Sequence, residues 1–151
     1  MSKLDLNSIP VLSGTDYPEP FARAMAGRSR QALGDAGGLT QFGVNLVELQ
    51  PGAWSSQRHW HSHEDEFVSM VSGELVLVTD EGETVMRAGD WAAFPAGRPN
   101  GHHLVNRSGA PARFLAVGSR FAADRVVYPD IDMLYDGASD TYTHKDGTPF
   151  P

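Results

Sequence analysis

Residues 58–66 read RHWHSHEDE, three histidines and three carboxylates within nine positions. Their local geometry decides what the rest of the chain has to build. If residues 54–61 form a strand, the two-residue side-chain period puts His59 and His61 side by side on one face and Trp60 on the other. A short turn, SHED, then reverses the chain. EFVSMVSG, residues 66–73, returns as the next strand with Glu66 at its start, where a carboxylate can reach the same centre as the paired imidazoles. His63, Glu64 and Asp65 fall on the turn itself, where a solvated, strand-capping role is expected. About forty residues later GHHLVN, residues 101–106, gives another strand in which His102 and Leu104 share a face and His103 points away.

The surrounding sequence favours strands. Sixteen glycines and ten prolines are spread along the chain instead of pooling in one linker, and they cut it into short pieces, the pattern of an all-β sandwich or barrel. FGVNLVEL (42–49), ELVLVTD (74–80) and ARFLAVGSR (112–120) are β-branched or aromatic runs bounded by turn residues. Between them TDEG (79–82) reads as a hairpin turn, RAGD (87–90) as a tight turn and NRSGAP (106–111) as a loop. Before about residue 38, YPEP is an extended or turn segment and FARAMAGRSRQALG at most a short amphipathic helix. The tail, residues 128–151, has little β period but is too apolar for simple disorder, and is expected to pack on the outside of the domain or across a partner subunit.

Composition narrows the function. A length of 151 residues fits one domain, 1–151, with a core at about 40–127. Twelve basic against nineteen acidic residues leave a net charge of -7 and no basic stripe, so nucleic acid is not an expected partner. No cysteine is present, so any metal must be held by nitrogen and oxygen. The first residues lack the apolar core of a signal peptide, no window is apolar enough to span a bilayer, and a cytoplasmic location is expected.

Three imidazoles and one carboxylate, from His59, His61, Glu66 and His102, suit a borderline divalent ion (Mn, Fe, Ni or Zn) and not the oxygen shells of Ca or Mg. Gln57 shares the face of His59 and is a candidate for the substrate pocket, whereas Arg58 should point to the other side of the strand. Gln41 and Asn45 line the site if the polar face of the 42–49 strand looks inward, and are surface if it looks outward. Arg23, Arg28 and Arg30 either meet an anionic substrate or, as favoured here, balance acidic neighbours.

Gly52, His59, His61, Glu66 and Gly73 spell G-x6-H-x-H-x4-E-x6-G, and Gly89, Pro95, Gly97, His102 and Asn106 spell G-x5-P-x-G-x4-H-x3-N. Together they resemble the two motifs of the cupin superfamily, in order and at several fixed spacings. The resemblance implies a double-stranded β-helix, or jelly-roll barrel, with His59, His61, Glu66 and His102 as metal ligands. The family pattern has one residue fewer before the first histidine pair and two fewer before the last histidine. The longer segment leaves a choice between His102 and His103, and the spacing to Asn106 favours His102. GLTQFGVNL, HSHEDEFV and the tail further resemble a bacterial subgroup of small single-domain cupins, some of which carry the label sugar phosphate isomerase.

The resemblance implies a metal-dependent isomerase or lyase acting on a small polar or anionic metabolite. The open strand edges and the apolar tail lead us to expect a homodimer that buries one or the other. An iron-dependent dioxygenase is the alternative enzyme, and a non-catalytic small-molecule binding or sensor cupin the alternative class. No catalytic residue beyond the ligands is evident.

Overall fold

The computed structural model describes residues 3–151. Thirteen strands follow one another with little helix between them: β1 (Leu12–Ser13), β2 (Arg28–Ala32), β3 (Phe42–Leu49), β4 (Trp60–His61), β5 (Glu66–Ser72), β6 (Glu74–Thr79), β7 (Gly82–Arg87), β8 (Trp91–Phe94), β9 (His103–Val105), β10 (Ala112–Ser119), β11 (Arg125–Tyr128), β12 (Met133–Asp136) and β13 (Thr141–Thr143). All paired strands are antiparallel. They form a six-stranded sheet in the order β1-β2-β3-β10-β5-β8, a four-stranded sheet β13-β12-β11-β4 and a three-stranded sheet β7-β6-β9. Among the described residues no helix is long and apolar enough to cross a membrane.

The main core lies between two of these sheets. Val47, Leu49, Val68, Met70, Ala112 and Phe114 from the six-stranded sheet pack against Leu75, Met86 and Leu104 from the three-stranded one. Each fully buried large aliphatic or aromatic side chain contributes about 1.5–3 kcal/mol, so this layer holds the two sheets together. Gly73 lets β5 turn directly into β6. Its φ of +76° suits glycine, and a Cβ there would lie 2.8 Å from the Cβ of Ala112.

Three regions depart from the sequence expectation. Residues 54–61 are not one strand: only Trp60 and His61 join a ladder, preceded by isolated bridges at Trp54 and His59. Ser55 explains the break, because its Oγ accepts the backbone N–H of Leu104 at 2.9 Å and so takes a donor that a regular ladder would have used. The helix expected around FARAMAGRSRQALG reduces to a 3-10 segment, Phe21–Met25, and a single turn, Leu33–Ala36, with β2 between them. Arg28–Ala32 pairs along the open edge of β3, and that ladder outweighs a weak helical preference.

The tail is a sheet. β11, β12 and β13 form a meander that joins β4, and Val126, Tyr128 and Met133 pack with Tyr17, Phe21, Tyr142 and Phe150. Its aromatic residues therefore cover the N-terminal arm and the back of the histidine strand. Strand parity was hard to read there because each strand is only three or four residues long.

Candidate metal centre

His59 and His61 stand two residues apart with ring centroids separated by 5.0 Å, so their shared face survives the break in the strand. His102 is tied to His59 by a reciprocal pair of backbone hydrogen bonds, at 3.1 and 2.9 Å. Glu66 reaches in from the first position of β5. Its Oε2 lies 3.4 Å from His59 Nε2 and 2.5 Å from His102 Nε2, and its Oε1 lies 3.4 Å from His61 Nε2. All four predicted ligands thus meet around one carboxylate. The donor atoms of His59, His61 and Glu66 form the compact group, all within 4.8 Å of one another, and His102 joins it through Glu66.

The other ring nitrogens decide what this cluster can hold. His59 Nδ1 lies 2.8 Å from the carbonyl of Gln57 and must donate to it. His61 Nδ1 lies 2.7 Å from Oδ2 of Asp124 and donates likewise. With those protons committed, both Nε2 atoms direct lone pairs at a carboxylate, an arrangement that repels unless a cation or extra protons stand between them. The donor set fits a divalent transition metal. Burial alone would raise the Glu66 carboxyl, but hydrogen bonds from His102, His59 and His61, when these rings carry the extra protons, outweigh it and hold the group well below the usual carboxylate range. Burial likewise lowers His61, and Glu66 and Asp124 override it, raising the imidazole to about 9. Both shifts express the same demand for positive charge between the rings and the carboxylate.

His102 is held differently. Its Nδ1 is buried without a partner among the described residues, and its ring stacks on Phe94 with centroids 3.6 Å apart and planes 3° from parallel. Packing, not an outer hydrogen bond, sets its orientation. His103 Nδ1 donates to the carbonyl of Ser56 at 2.9 Å and its ring contacts Trp54, in keeping with a packing role.

Asp124 was not legible in the sequence. It sits in the FAADR turn before β11, outside both motifs, and only the β11–β4 pairing carries it to His61. It is 3% exposed, and its second oxygen accepts the backbone N–H groups of His63 and Glu64 at 2.8 and 3.2 Å. One carboxylate thereby orients a histidine and closes the turn beside it. Glu64, expected to be solvated, is half-buried instead. It accepts the N–H of Phe121 at 2.8 Å and forms with His61 and Asp124 a second group of candidate donors. His63 and Asp65 are exposed, as a turn requires.

A cavity of about 330 Å³ opens beside the cluster, lined by His59, Glu66 and His102 and also by Arg28, Asn45 and Phe114 among others. Of the three pocket candidates, Asn45 lines this space. Gln57 is buried but spends its amide on the carbonyl of Phe21 at 3.0 Å, because the broken strand turns it toward the N-terminal arm. Gln41 is exposed at the approach to β3. Arg58 points away from the cluster, as parity requires, and bonds both oxygens of Asp130 at 2.7 Å as well as Asp80. Of the three N-terminal arginines, only Arg23 balances an acidic neighbour, Glu19 at 3.2 Å. Arg28 and Arg30 pair with no carboxylate among the described residues.

Known proteins share this fold. A family model described as "Cupin domain" matches residues 45–118. A crystal structure of a sugar phosphate isomerase from a cupin superfamily, from Silicibacter pomeroyi, is 56% identical, with a TM-score of 0.94 over 99% of this chain and 97% of that one. The chain belongs to the cupin superfamily. A candidate sugar phosphate isomerase from Acidithiobacillus ferrooxidans is 26% identical to this cupin, with a TM-score of 0.77 over 87% of this chain and 83% of that one. The polyketide cyclase RemF from Streptomyces resistomycificus, 22% identical, shares the cupin fold at a TM-score of 0.64 over 79% of each chain. No curated protein matches the chain.

Proposed function

We propose that this cupin is a metal-dependent enzyme of the isomerase or lyase type acting on a small anionic metabolite, with sugar phosphates as the leading substrate class. Its three sheets are read as the wrapped jelly-roll barrel of the family, with the metal held inside by His59, His61, Glu66 and His102. The observation that carries the proposal is the convergence of three imidazole Nε2 atoms on the Glu66 carboxylate beside a cavity that His59, Glu66 and His102 line. The description of the Silicibacter pomeroyi relative supports the substrate class.

A divalent metal in this set would act as a Lewis acid on a carbonyl or enediolate oxygen. The chain's own contribution is orientation. Gln57 and Asp124 fix the tautomers of His59 and His61, Phe94 sets the ring plane of His102, and apolar residues such as Phe114 and Leu104 exclude water from the cavity. Glu64 is a carboxylate at the edge of the same cavity, placed to accept and return a proton. The same donor set with iron would serve a dioxygenase, since three nitrogens and one oxygen leave positions for oxygen and substrate together.

Elemental analysis of untagged protein tests the reading. One equivalent of a transition metal is expected in the wild type and none in His61→Ala, with aldose–ketose interconversion of phosphorylated sugars by the loaded protein. Oxygen consumption by the iron-loaded form without isomerisation would assign the dioxygenase, and protein free of metal after purification without chelator would assign a binding module. A homodimer is part of the proposal. Trp91, 69% exposed on the edge strand β8, and Phe67 on its neighbour β5 form an outward apolar face that a second copy would cover. Sedimentation of wild type and Trp91→Glu checks it.

A further inference from the structure

Arg28 has no structural partner to explain its place. In the β2–β3 ladder Arg28 stands opposite Leu49 and Arg30 opposite Val47. Directly opposed residues on antiparallel strands send their side chains to the same face. Leu49 and Val47 are 0% and 2% exposed, so both arginines project from β2 toward the interior. Natural proteins rarely leave a cation there without a carboxylate, because withdrawing a charge from water costs several kcal/mol unless it is paired.

Arg30 is compensated in part, since its Nη1 donates to Oδ1 of Asn45 at 2.9 Å. Arg28 forms no ion pair with any described residue, and its Nε is buried without a hydrogen-bond partner. Burial presses its pKa down and the neighbouring Arg30 adds to that, yet a guanidinium stays charged under any physiological condition. Asp16 lines a smaller cavity shared with Arg28 and Arg30 but forms no ion pair with either.

The missing partner has a place to sit. Arg28 lines the same cavity as His59, Glu66 and His102. Asn45 lines it too, and its orientation is dictated: Arg30 can only donate, so Oδ1 must face Arg30, and the Nδ2 amino group is left for other partners. Ser55 and Ser56 also line the cavity, Ser56 beside His59 with its Oγ 3.2 Å from His59 Nδ1. The cavity therefore holds a fixed positive charge and a free amide donor together with the candidate metal ligands His59, Glu66 and His102.

We propose that Arg28, with Asn45 oriented by Arg30, forms an anion subsite that binds the phosphate or carboxylate group of the substrate while its reacting end faces the His59, His61, Glu66 and His102 cluster. This rests on the metal-site reading for the position of the reacting end but not for anion binding itself. The planar fork of a guanidinium matches two oxygens of either group. The distant charge would hold the substrate in register, so that binding energy from a group that does not react fixes the one that does.

The experiment is titration of the full-length protein, metal-free and Zn-loaded, with inorganic phosphate and separately with acetate, by calorimetry, for the wild type, Arg28→Met, Arg28→Lys and Asn45→Ala. Saturable binding to the wild type is expected, weakened about ten- to a hundredfold in Arg28→Met and partly recovered in Arg28→Lys, the range for losing a charged hydrogen-bond partner. Asn45→Ala should weaken it less. Tighter phosphate than acetate assigns a phosphorylated substrate, and the reverse assigns a carboxylic acid. Thermal melting without anions adds a readout that a structural role would not share: Arg28→Met should melt at or above the wild type, because it removes a buried charge that has no partner. Equal anion binding by wild type and Arg28→Met, or a lower melting temperature of Arg28→Met in anion-free buffer, overturns the proposal. Because metal content is measured on the same samples, anion binding without metal uptake sinks the metal reading alone, and metal uptake without Arg28-dependent anion binding sinks this one alone.

Discussion

Oδ2 of Asp124 lies 2.7 Å from Nδ1 of His61, and Oδ1 of the same carboxylate takes the backbone N–H of His63 at 2.8 Å. A buried acid from the turn before β11 thus fixes both the ring and the turn of the histidine strand. Outer partners of this kind orient metal-binding imidazoles and raise their basicity.

An amide cannot replace this carboxylate. Asn at 124 would set its NH2 group against either the His61 N–H or the two backbone N–H groups, whichever way it is turned. Asp124→Asn is expected to weaken metal affinity about 10- to 100-fold, measured by competition with a chromogenic chelator. Unchanged affinity would remove Asp124 from the account of the site.

Metal should stabilise the fold, because its ligands come from three separate stretches of chain that meet only in the native state. At a free metal concentration a hundred times Kd, a gain of about 2.7 kcal/mol is expected, or a rise in melting temperature of roughly 5–10 °C for a domain of this size. His61→Ala should show no such rise. A metal-dependent shift of wild-type size in that variant would contradict the ligand set.

Arg58 ties the β6–β7 hairpin to the tail through Asp80 and Asp130. Hydrogen bonding to Arg58 holds the Asp130 carboxyl below its ordinary value. A carboxyl depressed in the folded state adds stability that is present above its unfolded pKa, about 3.9, and that is lost as pH falls through the folded value. Both acids are substantially exposed, so Arg58→Met should cost about 1 kcal/mol near neutral pH. That difference should shrink below about pH 4. Urea melts of both proteins from pH 3 to 8 check the sign, and a difference growing toward acid would refute the assignment.

Gly73 is a purely steric prediction. Gly73→Ala must accept a φ of +76° and push a methyl to 2.8 Å from Ala112 Cβ and 2.9 Å from the Pro111 carbonyl. A loss of about 2 kcal/mol is expected from the strained backbone and the clash, read as a lower denaturation midpoint with metal stoichiometry retained. A neutral substitution would mean that β5 and β6 can separate without loss.

The sequence by itself determined the strands that carry the motifs and the candidate donor set. β3, β5, β6 and β10 are long enough for β-branched runs and turn residues to bound them, and His59 and His61 keep their parity because a spacing of two points the same way even where the ladder breaks. Only tertiary structure decided the rest. Asp124, Glu64 and Arg28 acquire their roles from partners far along the chain, through the pairing of β11 with β4 and β2 with β3, and such long-range pairings leave no local period to read. Gln57 and Gln41 show the converse. Parity or strand position marked them for the pocket, but the break at Ser55 turned one toward the N-terminal arm and the other lies at the exposed approach to β3. Local periodicity fixes which way a side chain points within its own strand, while what it faces depends on which strands the fold brings alongside.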